Sequence, residues 1–183
     1  MTDSGAGIGR HYEDFNIGDV YRSPYGRTIT ETDNTWFTLL TLNTNQAHFN
    51  RDFAESTPFG RIIVNSGLTV ALVLGLSVID TSHHAFANLG WDRISLPAPV
   101  FVGDTLYAES QVLSKRGSES RPYGGIVRFR TRGLNQEGVT AVVYERTVFI
   151  YRRESGRSGA GFFPEPDVPI EEWADRLSDG KDQ

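Results

Sequence analysis

Within six residues the chain places Asn43, Asn45, Gln46 and His48, three side-chain amides and an imidazole, in one short polar loop. An unperturbed imidazole titrates near neutrality, so His48 can take up or release a proton under physiological conditions. The amides can orient a water or fix a tautomer, but they cannot accept a proton. The loop itself holds no carboxylate; Asp52 and Glu55 follow and reach it only if the chain folds back. The loop is therefore a candidate for proton transfer on a bound substrate. The plain alternatives are a loop histidine bonded to backbone for His48, and helix-end and turn roles for Asn43 and Asn45. These roles are compatible with chemistry.

The elements around the loop must position it. Thr30, with Asp33 three residues on, marks a helix start. Trp36, Phe37, Leu39 and Leu40 then give an apolar face at helical spacing, with Trp36 and Phe37 read as core, and the helix should stop near Asn43. Residues 51–55 form one short turn before Pro58 and Gly60 break the chain. The long apolar run 62–79 is interrupted by Asn65, Ser66, Gly67, Thr69, Gly75 and Ser77, whereas a bilayer helix needs about 20 mostly apolar residues. The expectation is a helix over 67–79. Having no polar stripe, it should be surrounded by protein.

After Ala85 the pattern changes to turn signals separating strands at 105–114, 126–134 and 139–151, with Gly138 turning a hairpin between the last two. An earlier strand is expected over 20–29. The sum is an α+β domain, an antiparallel sheet wrapped around a central buried helix, spanning 11–153. A flexible leader (1–10) and a Gly/Pro-rich C-terminal tail (154–183) flank it. The tail holds a possible short helix at 171–177 and is expected outside the core.

With 183 residues, 38% hydrophobic and 22% charged, the chain has the composition of a globular domain. Its net charge of −5 argues against nucleic acid or an anionic membrane as a partner. No signal peptide is visible, so a cytoplasmic location is expected. Without cysteine there is no disulfide or thiol nucleophile. His83 and His84 lack partners at ligand spacing, and no Gly-rich phosphate loop appears, so neither metal nor cofactor is expected.

Three segments carry a resemblance to a known family. The loop resembles the Asp-x-Asn-Pro-[Ile/Leu]-His pattern of the MaoC-like, R-specific enoyl-CoA hydratases, which have the hot-dog fold. Asn45 and His48 keep the family's identity; Gln46 and Ala47 replace its Pro and aliphatic residue, and Asn43 stands where the family has its catalytic Asp. Asn65-Ser66-Gly67-Leu68-Thr69, opening the helix, and Leu96 through Asp104, a strand-turn segment, extend the likeness over 15–152. Residues 27–37 look closest to the subgroup acting on branched dicarboxylic thioesters, the mesaconyl-CoA hydratases or β-methylmalyl-CoA dehydratases.

The resemblance implies a hydro-lyase that adds water to, or removes it from, a 2-enoyl-CoA thioester. His48 is then the main acid/base and Asn43 positions the water. A backbone amide near Ala87 and Asn88 binds the carbonyl, while Asn65 and Thr69 flank the site. Thr69 is expected to bond Asn43, with back-bonding inside its own helix as the alternative. Arg61, Arg93 and Arg128 are candidates for CoA phosphates or a substrate carboxylate, against the plain reading of solvated surface arginines. A free sheet edge implies a homodimer or higher homo-oligomer. Two other functions compete. A thioesterase or fatty-acid dehydratase needs a carboxylate on the central helix, and 67–79 has none. A non-catalytic acyl-CoA-binding protein, or an inert partner subunit, would fit Asn43 in place of Asp.

Overall fold

Thr30 starts the first helix as its sequence predicts. In this computed structural model, which describes residues 8–156 and 164–170, Thr30 Oγ1 accepts from Asp33 N–H at 3.2 Å. The Asp33 carboxylate accepts from Thr30 N–H at 2.8 Å, closing a capping box on α1 (Glu31–Leu40). The phase of the helix is the reverse of the expectation. Its buried side chains are Asn34 and Thr38, one turn apart, while Trp36 is 67% and Leu40 77% exposed. Trp36, Leu39 and Leu40 are thus not core, and only Phe37 packs inward. The helix turns its amide and hydroxyl inward because buried backbone groups there require partners.

The central helix α3 (Ser66–Thr81) is capped by Asn65, whose Oδ1 accepts from Gly67 N–H at 2.9 Å. It buries Leu68, Thr69, Val73, Leu76, Ser77 and Thr81 but leaves Ser66, Gly67, Ala71 and Gly75 exposed. The enclosure expected on every side is therefore incomplete. The sheet covers one flank, and the open flank carries residues too small to require cover. At its C-terminal end Arg146, only 3% exposed, donates to Thr81 Oγ1 at 2.7 Å and Ser82 Oγ at 3.2 Å. A cation there complements the negative end of the helix dipole. Burial lowers the pKa of this guanidinium.

The strands are β1 (Val20–Arg22), β2 (Arg27–Thr28), β3 (Ala85–Ser95), β4 (Thr105–Gly117), β5 (Gly124–Leu134) and β6 (Thr140–Tyr151). Their order is β1-β4-β5-β6-β3, all antiparallel, with β2 also on β4. The single strand expected over 20–29 is two short ones, broken where Pro24 and Gly26 interrupt the ladder. Gly138, with φ of 78°, turns the β5–β6 hairpin as expected. β3, an edge strand with three register shifts, was not foreseeable as alternation.

Inward residues Leu106, Ala108, Val142 and Tyr144 pack on α3. The other half of the sheet (Val112, Val127, Phe129, Val148, Ile150) is covered by Tyr12 and Phe15 from the N-terminal segment. Gly125 permits this, since a Cβ there would lie 2.1 Å from the Tyr12 ring. The result is the hot-dog arrangement. Among the described residues no helix is long and apolar enough to cross a membrane. In the tail, Val168 is buried. Residues 1–7 of the expected leader and the helix expected at 171–177 lie outside the described residues.

Candidate active site

Two side-chain turns steer the loop inward. Asn43 Oδ1 accepts from Asn45 N–H at 2.9 Å, and Asn45 Oδ1 accepts from Ala47 N–H at 3.1 Å, capping the 3-10 turn Gln46–His48. Gln46 Oε1 accepts from Asn50 Nδ2 at 2.6 Å and holds the far side of the loop. Ala47 and His48 are thereby buried, His48 at 7% exposure. The His48 Nδ1 lies 3.0 Å from the Ile63 carbonyl oxygen. A carbonyl only accepts, so Nδ1 carries the hydrogen and the Nε2 lone pair is left free to act as a base.

His48 lines a cleft of about 280 Å³ together with Phe59, Ile63, Val64, Ser66, Thr69 and the segment from Leu96 to Val100. The N-terminus of α3 opens into it. Asn65 takes two of the first amides, Gly67 N–H on its side chain and Thr69 N–H on its carbonyl. The Ser66 N–H has no acceptor among the described residues. A histidine base and the first residue of a helix, at its positive end, therefore line one mostly apolar cleft. Such a pair can hold a water on one side and polarise a carbonyl on the other.

Of the residues singled out from sequence, the structure brings His48, Thr69 and the Asn65 cap together. Thr69 Oγ1 donates to Asn65 O at 3.4 Å, the helical back-bond, and not to Asn43. Asn43 lies outside the cleft lining, with its oxygen occupied by the turn. Arg61 stacks on the Phe101 ring at 3.6 Å and lines a neighbouring cleft of about 330 Å³ with Glu31, Arg51 and Glu55. The Ile63–Phe101 bridge separates the two clefts. Ala87 and Asn88 sit on β3, paired with Phe149 and Val148. Arg128 and Arg93 contact the Glu145 carboxylate at 2.7 and 3.5 Å. That carboxyl is held below its usual range first by the Arg130 hydrogen bond.

Nothing in the sequence pattern marks Asn34 or Thr38, yet they frame the site together with Ser66, which lies in the segment that opens α3. Asn34 Nδ2 donates to His48 O at 2.8 Å and Ile63 O at 3.2 Å, and Asn34 Oδ1 accepts from Asn65 N–H at 2.8 Å. Asn65 Nδ2 in turn donates to Thr38 Oγ1 at 3.3 Å.

A curled antiparallel sheet on one helix, with a loop histidine facing that helix's N-terminus, defines a MaoC-like hot-dog domain. The chain belongs to the mesaconyl-CoA hydratase family, whose model it matches over residues 4–177. It is 32% identical to the mesaconyl-CoA hydratase of Cereibacter sphaeroides over 161 residues, 88% of this chain and 46% of that protein. The chain thus spans about half the length of the curated relatives it matches. The MaoC-like dehydratase from Rhodospirillum rubrum superposes with a TM-score of 0.70 at 26% identity, covering 79% of this chain and 99% of that one. A Mycobacterium tuberculosis protein with a double hot-dog fold shares the fold at 18% identity, with a TM-score of 0.73 over 88% of this chain and 53% of that one.

Proposed function

We propose that the chain is a hydro-lyase acting on 2-enoyl-CoA thioesters, with a branched dicarboxylic one such as mesaconyl-CoA as the favoured substrate. The carrying observation is that His48, whose Nε2 is left as the base, and Ser66, the first residue of α3, line one cleft. In this reading the thioester carbonyl accepts from Ser66 N–H, and the helix end stabilises the enolate that develops there. His48 Nε2 takes a proton from a water, whose oxygen bonds to the β carbon. The enolate collapses as the α carbon takes a proton from the imidazolium, so the net change is one water added. Asn43, outside the cleft lining, serves this path through the loop, its Oδ1 accepting from Asn45 N–H and so holding the turn that carries His48. Dehydration is the same path reversed.

Arg61, braced on Phe101 in the adjoining cleft, suits the CoA phosphates. The free edge of β3, with Phe86, Leu89 and Ile94 exposed, supports a homodimer that carries Ala87 and Asn88 to the pairing line. The same reading places the protein in the cytoplasm, where CoA thioesters serve as substrates.

The test is to incubate the purified chain with crotonyl-CoA and mesaconyl-CoA and follow loss of the enoyl-thioester absorbance. Turnover with a preference for mesaconyl-CoA is expected. Tight binding of both esters without turnover would favour an acyl-CoA-binding module and sink the proposal.

A further inference from the structure

We infer that Asn34 is a positioning residue for this reaction, fixing His48 and the amide end of α3 from one buried point. The inference rests on the hydratase reading, because positioning needs a reaction to serve. Asn34 is 1% exposed. Its side chain bonds three backbone groups that belong to three parts of the site. One is the His48 carbonyl at 2.8 Å; the second is the Ile63 carbonyl at 3.2 Å, the same oxygen that takes His48 Nδ1–H at 3.0 Å; the third is Asn65 N–H at 2.8 Å.

The amide therefore holds the histidine's own backbone and the acceptor that selects its tautomer. It also holds the residue that caps α3, next to the Ser66 amide. Thr38 extends the grip, accepting from Asn65 Nδ2 at 3.3 Å. This demand explains the phase of α1, whose polar residues must face inward and whose Trp36 and Leu40 are consequently left outside. A residue needed only to fill the core would be apolar, because a buried amide is costly unless every polar atom is matched. Here both amide hydrogens and the oxygen are matched, each by backbone of the site.

The experiment compares wild type with Asn34→Leu, which keeps the branching and removes all three bonds, and with Asn34→Asp. A protonated aspartate keeps the acceptor for Asn65 N–H but offers at most one donor. Folding is checked by circular dichroism, kinetics are measured with crotonyl-CoA, and the His48 tautomer is read from imidazole ¹⁵N shifts. Asn34→Leu should lower kcat by about 10- to 100-fold, with KM within about threefold. The single Nδ1–H tautomer should become a mixture, and Asn34→Asp should fall between. A folded Asn34→Leu that keeps both kcat and one tautomer overturns the inference, as does a raised KM at unchanged kcat. If Asn34→Leu does not fold, Asn34→Asp decides by the same readings. A wild type that hydrates no enoyl thioester defeats the hydratase reading and the positioning role with it, while the tautomer signal, read separately, still shows whether Asn34 fixes the His48 ring.

Discussion

His48 Nδ1 and the carbonyl oxygen of Ile63 stand 3.0 Å apart across 15 residues of sequence, and that contact sets which ring nitrogen is a base. Replacing His48 by Ala should cut turnover by about 10²- to 10⁴-fold, with substrate binding largely kept. Asn43→Asp preserves the oxygen that accepts from Asn45 N–H, so the loop should keep its shape and most activity survive. Steady-state kinetics on both variants check this; near wild-type turnover in His48→Ala removes the assigned base.

Leu89 lies exposed on β3, whose outer edge pairs with no described strand. A lysine at this position places a charge where a second copy would pair, a device that discourages edge-to-edge association. Sedimentation should show wild type as a dimer and Leu89→Lys shifted toward monomer. A monomeric wild type would remove the pairing altogether.

His11 and His84 stack at 3.9 Å between ring centroids, with His83 edge-on to His84. Burial lowers both pKa values from 6.5. The charges of His11 and His83 lower His84 further, and Arg153 lowers His11 against the opposing pull of Asp14 and Glu13. As pH falls through 6.5 the unfolded chain takes up protons before the folded one does. The stability that depends on the neutral rings is therefore complete above that value and declines below it. Wild type should lose melting temperature between about pH 7.5 and about pH 5.5, and His84→Phe, which keeps the stack, should lose less. Equal losses in both proteins would rule the pair out as the cause.

Gly125 lies under Tyr12, and an added methyl group would sit 2.1 Å from the ring. Gly125→Ala should destabilise the domain by about 1–3 kcal/mol, seen as a lower midpoint in urea. Adding Tyr12→Leu should recover part of that loss; no recovery would locate the strain elsewhere.

Much of this architecture is legible in the residues. Thr30 and Asp33 announce α1, Gly138 announces the hairpin, and β4 to β6 show themselves through spacing and turn residues. β3 hides because an edge strand with three register shifts is wet on parts of both faces and breaks the alternation that marks a strand. The phase of α1 hides for a different reason. Apolar periodicity shows which residues share a face but not which way that face points, and buried carbonyls decided it for Asn34. His48 is visible as a motif residue. Its acceptor is a main-chain oxygen, which leaves no trace in any side chain.

The outward face of α1 has a practical consequence. Of the two tryptophans among the described residues, Trp36 is the more solvent-exposed, while Trp91 is tilted against Tyr144. Its indole is a built-in optical probe on the helix that carries Asn34. Any molecule settling over that face should move its emission to shorter wavelength, so coverage of α1 can be read without attaching a dye.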